Sequence, residues 1–402
     1  MRYLTPLIET FLTDYRKMVF IAGPRQVGKT TLAKSFLSSG DGHFNWDIED
    51  DRKAILKDPT GFWLQNFPQA ERLMLDEIHK YPRWKKFLKG LYDKIGKELE
   101  LIVTGSGRLN VYQKGGDSLF GRYYLTRLHP FSVGEMLRPQ ALALPRPRQA
   151  IQNIYENAGH SQAREALEAI DRFTGFPEPL FSGREETLVL WRRSHRQLII
   201  REDLRDLTRI RDIGLIEAMI QHLPDRIGSP LSLNALREDL GVAFGTVQGW
   251  LTSLSHLYFL FEIRPFSGKL SRTLKREGKV YLFEGTQIEK EGARFENLMA
   301  LHLKKAAEAW SDWGFGDYEL YYVRDKEKRE VDFLITENKK PFVLVECKSS
   351  GLDLDNSLSY FRERLKAPYA FQVMRNFPQD IIHRKSEQVT FCSAERFLAA
   401  LP

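Results

Sequence analysis

The run Gly23-Pro24-Arg25-Gln26-Val27-Gly28-Lys29-Thr30 has the spacing G-x-x-x-x-G-K-[ST]. Glycines at both ends let the backbone curl so that several N–H groups point at one anion, and a helix starting at this point adds the positive end of its dipole. In that cradle of Gly23, Arg25 and Gly28, Lys29 would contact the β- and γ-phosphates of a nucleoside triphosphate. The Thr30 hydroxyl would ligate Mg²⁺, and Thr31 follows in the same turn. A second group completes the chemistry. Leu73-Met74-Leu75-Asp76-Glu77 is an apolar run ending in two acids. Asp76 would hold Mg²⁺ through water, and Glu77 would polarise the water that attacks the γ-phosphate. A third apolar run ends in Thr104-Gly105-Ser106, where Thr104 and Ser106 are placed to feel the γ-phosphate or to form a plain tight turn. Arg108 and Arg122 follow, either of which could serve the nucleotide of a neighbouring subunit as an arginine finger or lie on the surface.

Three further pieces lie near the other end: Phe295-Glu296-Asn297 at the start of a long helical stretch, Glu330-Val331-Asp332-Phe333-Leu334-Ile335, and Phe342-Val343-Leu344-Val345-Glu346-Cys347-Lys348. Side chains alternate along a strand, so Glu346 and Lys348 share a face. Asp332 sits opposite them if the two strands pair through a turn at residues 337–340. Two carboxylates and an ammonium would then converge at one sheet edge, a donor set for Mg²⁺ or Mn²⁺ acting on a phosphodiester. An acid inside an apolar strand is costly unless it is used or paired. The arrangement resembles the PD-(D/E)XK nuclease core. That resemblance implies Asp332 and Glu346 as metal ligands, Glu296 as the helix acid supporting the metal, and Lys348 as the residue that orients or activates water. The first acid lacks the proline-like turn common in that core. The fold can also serve as a docking or nucleic-acid-binding module that does not cut.

These groups need elements to hold them. Residues 18–22, 72–75 and 99–104 read as buried strands of a parallel sheet, alternating with helices up to about residue 137. A Pro- and Arg-rich stretch at 138–148 marks a boundary, and residues 150–211 read as helical with a break at Gly175-Phe176-Pro177. Residues 233–240 and 246–257, with a turn at Gly241 and a strand after them, have the outline of a winged helix. Its second helix would offer Thr246, Gln248 and Ser253 to a groove, and the basic connector with Lys269, Arg272, Lys275, Arg276 and Lys279 would meet phosphates. Four segments result: an ATPase core over 1–137, a helical lid or connector over 138–211, a winged-helix-like unit over 212–268, and a nuclease-like α/β domain over 280–402. The 402 residues carry a net charge of +7 with 42% hydrophobic and 28% charged residues. This is an ordinary folded composition that permits a polyanionic partner. Two cysteines, Cys347 and Cys392, exclude a disulfide framework and suit the cytoplasm. No signal-peptide core or membrane span is read.

The P-loop, the run Leu75-Asp76-Glu77-Ile78-His79-Lys80-Tyr81-Pro82, the Thr104-Gly105-Ser106 turn, Ser118-Leu119-Phe120-Gly121-Arg122 and His129-Pro130-Phe131-Ser132 together resemble one group. It is the AAA+-type ATPases of bacteria and archaea that carry a C-terminal domain of unknown function with nuclease-like features. The resemblance implies an ATPase module using ATP and Mg²⁺, with Mn²⁺ an option at the C-terminal site. It also implies a winged helix, a restriction-nuclease-like fold and assembly into a homo-oligomer through the ATPase domains. The expected activity is ATP hydrolysis coupled to binding and metal-dependent cleavage of nucleic acid, DNA in the first instance. The alternative is an ATP-gated DNA- or protein-binding switch that does not cut.

Overall fold

The computed structural model describes residues 2–95, 98–105, 119–138, 143–156, 161–204, 213–267, 277–351, 353–377, 380–384 and 388–402. Ser106, Arg108, Lys269, Arg272, Lys275 and Arg276 lie outside the described residues. Two compact units are present, one of residues 1–129 with 256–258 and one of residues 130–255 with 259–402.

The first unit is built on five parallel strands: β1 Met18–Ala22, β2 Gly42–Asn45, β3 Arg72–Asp76, β4 Glu100–Thr104 and β5 Tyr123–Arg127. Their order is β2-β3-β4-β1-β5. The three expected strands are β1, β3 and β4. Two more, β2 and β5, extend the sheet on either side. β1 is buried along its whole length and β3 along its last four residues, as a parallel sheet covered on both faces requires. One face packs Phe20, Leu73, Leu75, Leu101 and Val103 together with Trp63, Trp84 and Leu88. Because all strands run the same way, the loops after β1, β3 and β4 emerge at one edge. That edge is where an open α/β sheet holds its ligand.

The second unit contains an eight-stranded mixed sheet and most of the helices. Its strands are β6 Leu260–Pro265, β7 Lys279–Leu282, β8 Tyr318–Arg324, β9 Glu330–Glu337, β10 Lys340–Lys348, β11 Tyr369–Met374, β12 Ile381–Arg384 and β13 Val389–Ser393. Their order is β12-β13-β11-β10-β9-β8-β6-β7. The helix Glu291–Asp312 buries Phe295, Met299, Leu303 and Trp310. The β9–β10 turn forms as expected. Asn338 and Lys339 both take left-handed backbone (φ 50° and 67°), the pair of conformations a two-residue type I′ hairpin needs. The helical stretch after residue 147 breaks between Phe173 and Pro177, where the helix Pro177–Ser182 begins.

The helix-turn-helix outline is present as Leu233–Leu240, a left-handed Gly241 C-cap and Phe244–His256. Two details depart from the sequence reading. Ser253 is buried and its hydroxyl donates to the Gly249 carbonyl at 2.9 Å, so it faces its own helix and not a groove. The strand after the second helix, β6, pairs with both β7 and β8, so one sheet runs across the line drawn between residues 268 and 280. Apolar β6 finds more to pair with in that sheet than a two-stranded wing would give it.

Candidate nucleotide site and C-terminal acidic cluster

The phosphate loop joins β1 to the helix Lys29–Lys34. Gly23 has φ 152° and lies so close to the next strand connection that a Cβ would stand 2.3 Å from the Leu128 carbonyl oxygen. No other residue fits this turn. Gly28, also left-handed, precedes the helix. Lys29 is buried, and its ammonium donates to the Gly23 and Pro24 carbonyls at 3.0 and 2.6 Å. Thr30 Oγ1 donates to Asp76 Oδ2 at 3.0 Å, and Thr104 Oγ1 donates to Asp76 Oδ1. The expected partners Thr30 and Asp76 therefore meet. Thr104 acts on the Asp76 carboxylate. Burial raises the Asp76 pKa, but His43, Thr104 and Thr30 together outweigh it and hold the group below its ordinary value. His43, on β2, stands 3.9 Å from Asp76 Oδ2 and was not foreseen.

Glu77 has left-handed backbone (φ 54°) fixed by its N–H donating to the Thr104 carbonyl at 3.1 Å. Its Oε2 is buried and accepts no hydrogen bond among the described residues, with His79 Nε2 3.5 Å away. Burial pushes the Glu77 pKa up against the opposing pull of Lys29. A carboxylate with an idle acceptor atom and a raised proton affinity is suited to take a proton from water. Thr31, on the third helical residue, is exposed, and Arg25 is half-buried in the loop. Arg122 precedes β5, at the edge of the sheet opposite the phosphate loop, where it pairs with Asp93 at 2.7 and 3.1 Å. It does not join its own chain's nucleotide site. The donor set of Thr30 and Asp76, the glycine-only turn and the idle Glu77 oxygen fit a Mg²⁺-bound triphosphate.

In the second unit the four positions implied by the nuclease resemblance come together. The register Val345↔Phe333 continues to set Glu346 opposite Asp332. The Asp332 N–H donates to Glu346 Oε2 at 3.2 Å, and the Cys347 N–H donates to Asp332 Oδ2 at 3.0 Å. Glu296 projects from the helix Glu291–Asp312. Its neighbour Asn297 clamps β7, accepting from the Leu282 N–H at 2.7 Å and donating to the Leu282 carbonyl at 3.0 Å. Lys348 Nζ lies 2.9 Å from both Glu346 Oε1 and Asp355 Oδ2. Asp355 also caps the helix Asn356–Leu365 through the Ser357 and Leu358 N–H groups.

Sequence reasoning placed Lys279 in a basic connector that would meet phosphates, and the structure corrects this. Lys279 opens β7 with only 1% of its surface exposed. Its ammonium lies 2.7 Å from Glu330 Oε1, 3.1 Å from Glu296 Oε1 and 3.5 Å from Asp332 Oδ1. Tyr281, two residues on, donates to Glu296 Oε1 at 2.7 Å. Burial pushes the Glu296, Asp332 and Glu346 pKa values up, reinforced for Glu296 and Glu346 by the Asp332 charge. Burial lowers the Lys348 pKa, but Glu346 and then Asp355 raise it well above the ordinary lysine value. Among the described residues, no three carboxylate, imidazole or thiolate groups are placed to hold a metal ion. The residues as arranged do not fit a divalent ion between Glu296 and Asp332, because the Lys279 ammonium stands there.

Residues 15–137 match the family described as AAA domain. Residues 165–284 and 291–397 match two domains of unknown function, DUF8612 and DUF4143. Two mycobacterial proteins described as uncharacterized, one from Mycobacterium bovis and one from Mycobacterium tuberculosis, are each 20% identical to the chain. Each alignment runs over 352 residues, 85% of this chain and 72% of the relative. No helix among the described residues is long and apolar enough to cross a membrane. The first unit carries an AAA-type P-loop ATPase domain.

Proposed function

We propose that the protein hydrolyses ATP at the loop after β1, and that this turnover gates a C-terminal unit that binds nucleic acid or protein without cutting it. The observation that carries the first half is the hydrogen-bonded set Thr30–Asp76–Thr104 beside Lys29 and Glu77, gathered at one sheet edge. Loop N–H groups bind the phosphates, and Lys29 exchanges its carbonyl partners for phosphate oxygens. Thr30 and Asp76 would hold Mg²⁺, which supplies neutralising charge to the β- and γ-phosphates. Glu77, steadied by His79, accepts the proton of a water whose oxygen forms a bond to the γ-phosphorus. The bond from that phosphorus to the β–γ bridging oxygen breaks, leaving ADP and phosphate. An arginine from a neighbouring chain would complete the site in a homo-oligomer, and Arg122 is a candidate once released from Asp93. Phosphate release measured for the native chain, Asp76→Asn and Glu77→Gln tests the reading. Native-level turnover in Glu77→Gln would overturn it.

The non-cutting half is favoured by Lys279, whose ammonium stands between the Glu296 and Asp332 that the nuclease resemblance assigns to a metal, and by Lys348, which is bonded to Glu346 and Asp355. A second reading, metal-dependent cleavage of nucleic acid, draws on the convergence of Asp332, Glu346 and Lys348 on one face. The two part on incubation of single- and double-stranded DNA and RNA with Mg²⁺ or Mn²⁺, with and without ATP. Products lost in Asp332→Ala would establish cleavage. Intact but bound nucleic acid would establish the switch.

A further inference from the structure

The carboxylate cluster of the second unit has an unusual counter-ion, because the charge that balances it comes from the chain itself and is sealed inside. Glu296 comes from a helix, Glu330 and Asp332 from β9, and the lysine that meets all three from β7. A lysine buried to this degree is tolerated only when paired. The Lys279 backbone is held on both sides: β6 pairs with it through Ile263, and Pro230 bridges to it. Its stem passes the Tyr322 ring, whose centroid is 5.6 Å from Nζ. On the remaining side a Cβ on Gly228 would lie 2.7 Å from Glu296 Oε2, so backbone closes over the carboxylate. Arg324 takes the second oxygen of Glu330 at 3.1 Å.

We propose that the Lys279 ammonium is a tethered cation that takes the place of a divalent metal in the nuclease-like core and keeps one out. This rests on the non-cutting reading above and deepens it. A divalent ion bound by Glu296 and Asp332 would need to sit roughly 2.0–2.6 Å from their oxygens, in the space Nζ now fills. Two cations cannot share that space, since at ~3–4 Å in a protein interior their repulsion is far stronger than in water. On the other flank Lys348 already holds Glu346 Oε1 at 2.9 Å. The cluster is therefore a latent cation site, closed as long as the chain supplies its own charge. Removing that charge, by substitution or by a movement of β7, opens it.

The test is Mn²⁺ binding to the full chain without nucleotide, read from the loss of the free-ion electron paramagnetic resonance signal. The native chain is expected to show no Mn²⁺ site that depends on Asp332. Lys279→Met should gain one, at least ten-fold tighter than any native site, and Lys279→Met/Asp332→Asn should lose it again. A native site abolished by Asp332→Asn overturns the proposal, as does a folded Lys279→Met chain that gains none. If Lys279→Met is destabilised, Mn²⁺ should raise its melting temperature and the neutral donor in Lys279→Gln should restore part of the stability. Failure of both overturns the proposal. The cleavage assay judges the functional reading separately, because a chain that does not cut can still bind Mn²⁺ through Asp332.

Discussion

The two acidic sites of this protein use the same residue types in opposite ways. At the phosphate loop, the lysine is held by backbone carbonyls, and one buried oxygen of Glu77 accepts no hydrogen bond among the described residues. Neutral carbonyls give up an ammonium to a phosphate at little cost, and an idle carboxylate oxygen can receive a water. In the C-terminal cluster, each lysine faces carboxylates at charge-assisted distances. Those bonds are roughly twice as strong as neutral ones. One site is poised to exchange partners with a ligand, and the other has found its partners within the fold. A lysine beside acids is thus no sign of a working site; in the C-terminal cluster the acids already accept its hydrogen bonds.

The sharpest way to break this contrast is to remove the exchangeable groups. Lys29→Ala should abolish tight nucleotide binding in a fluorescent-nucleotide titration. Glu77→Gln should leave binding intact while turnover falls about 10²- to 10⁴-fold. An equal loss of ATP turnover in Asp332→Ala would erase the distinction between the sites. A third lysine extends the comparison. Buried Lys305 donates to Glu135 at 2.6 Å, Ser132 at 2.8 Å and the Pro130 carbonyl at 3.2 Å. Lys305→Ala strands the Glu135 charge and should cost about 3–5 kcal/mol in denaturant unfolding. ATP binding by Lys305→Ala should be unchanged.

Acid titration sharpens the contrast further. His302 is buried, its Nδ1 bonded to the Leu298 carbonyl and its Nε2 accepting the Val133 N–H. Burial lowers its pKa from 6.5 to about 4. The unfolded chain then binds the proton more readily, so this contribution is whole above pH 6.5 and is lost as the pH falls to about 4. The loss is on the order of 3 kcal/mol. His302→Gln should show a shallower fall in unfolding free energy over that interval; an identical slope would remove His302 from the account. The smallest effect belongs to Thr104→Val, which takes one hydroxyl from Asp76. It should weaken Mg²⁺-dependent nucleotide binding by about 1.5–3 kcal/mol, measured by calorimetry.

Legibility in the sequence followed proximity along the chain. Lys29 and Thr30 were readable from the G-x-x-x-x-G-K-[ST] spacing, and Asp76 and Glu77 because they end an apolar run, where a parallel strand hands over to a loop. Asp332, Glu346 and Lys348 were readable because strand alternation and one turn fix their shared face. His43 was not, since Gly42-His43-Phe44-Asn45 is too short and polar to announce a strand. Lys279 was misread because it follows four basic residues, and composition says nothing of one side chain turning inward. Asp355 was not singled out, yet it is both a helix cap and the second anchor of Lys348. The union of β6 with the C-terminal sheet depends on a pairing with β8, more than fifty positions away along the chain.

The turn at Asn338 and Lys339 sets a length standard for everything above it. Side chains on a strand repeat every second residue, so a slip of one position between β9 and β10 would bring Val331 or Phe333 opposite Glu346. Asp332 would then point to the other side of the sheet. Insertions here are counted in parity: an odd change in register turns the two carboxylates to opposite faces, and an even one keeps the face but moves Asp332 along it, away from Glu346. A lineage or an engineer wishing to alter this protein's C-terminal chemistry can exchange side chains one at a time, but cannot lengthen this hairpin by a single register step and keep the cluster.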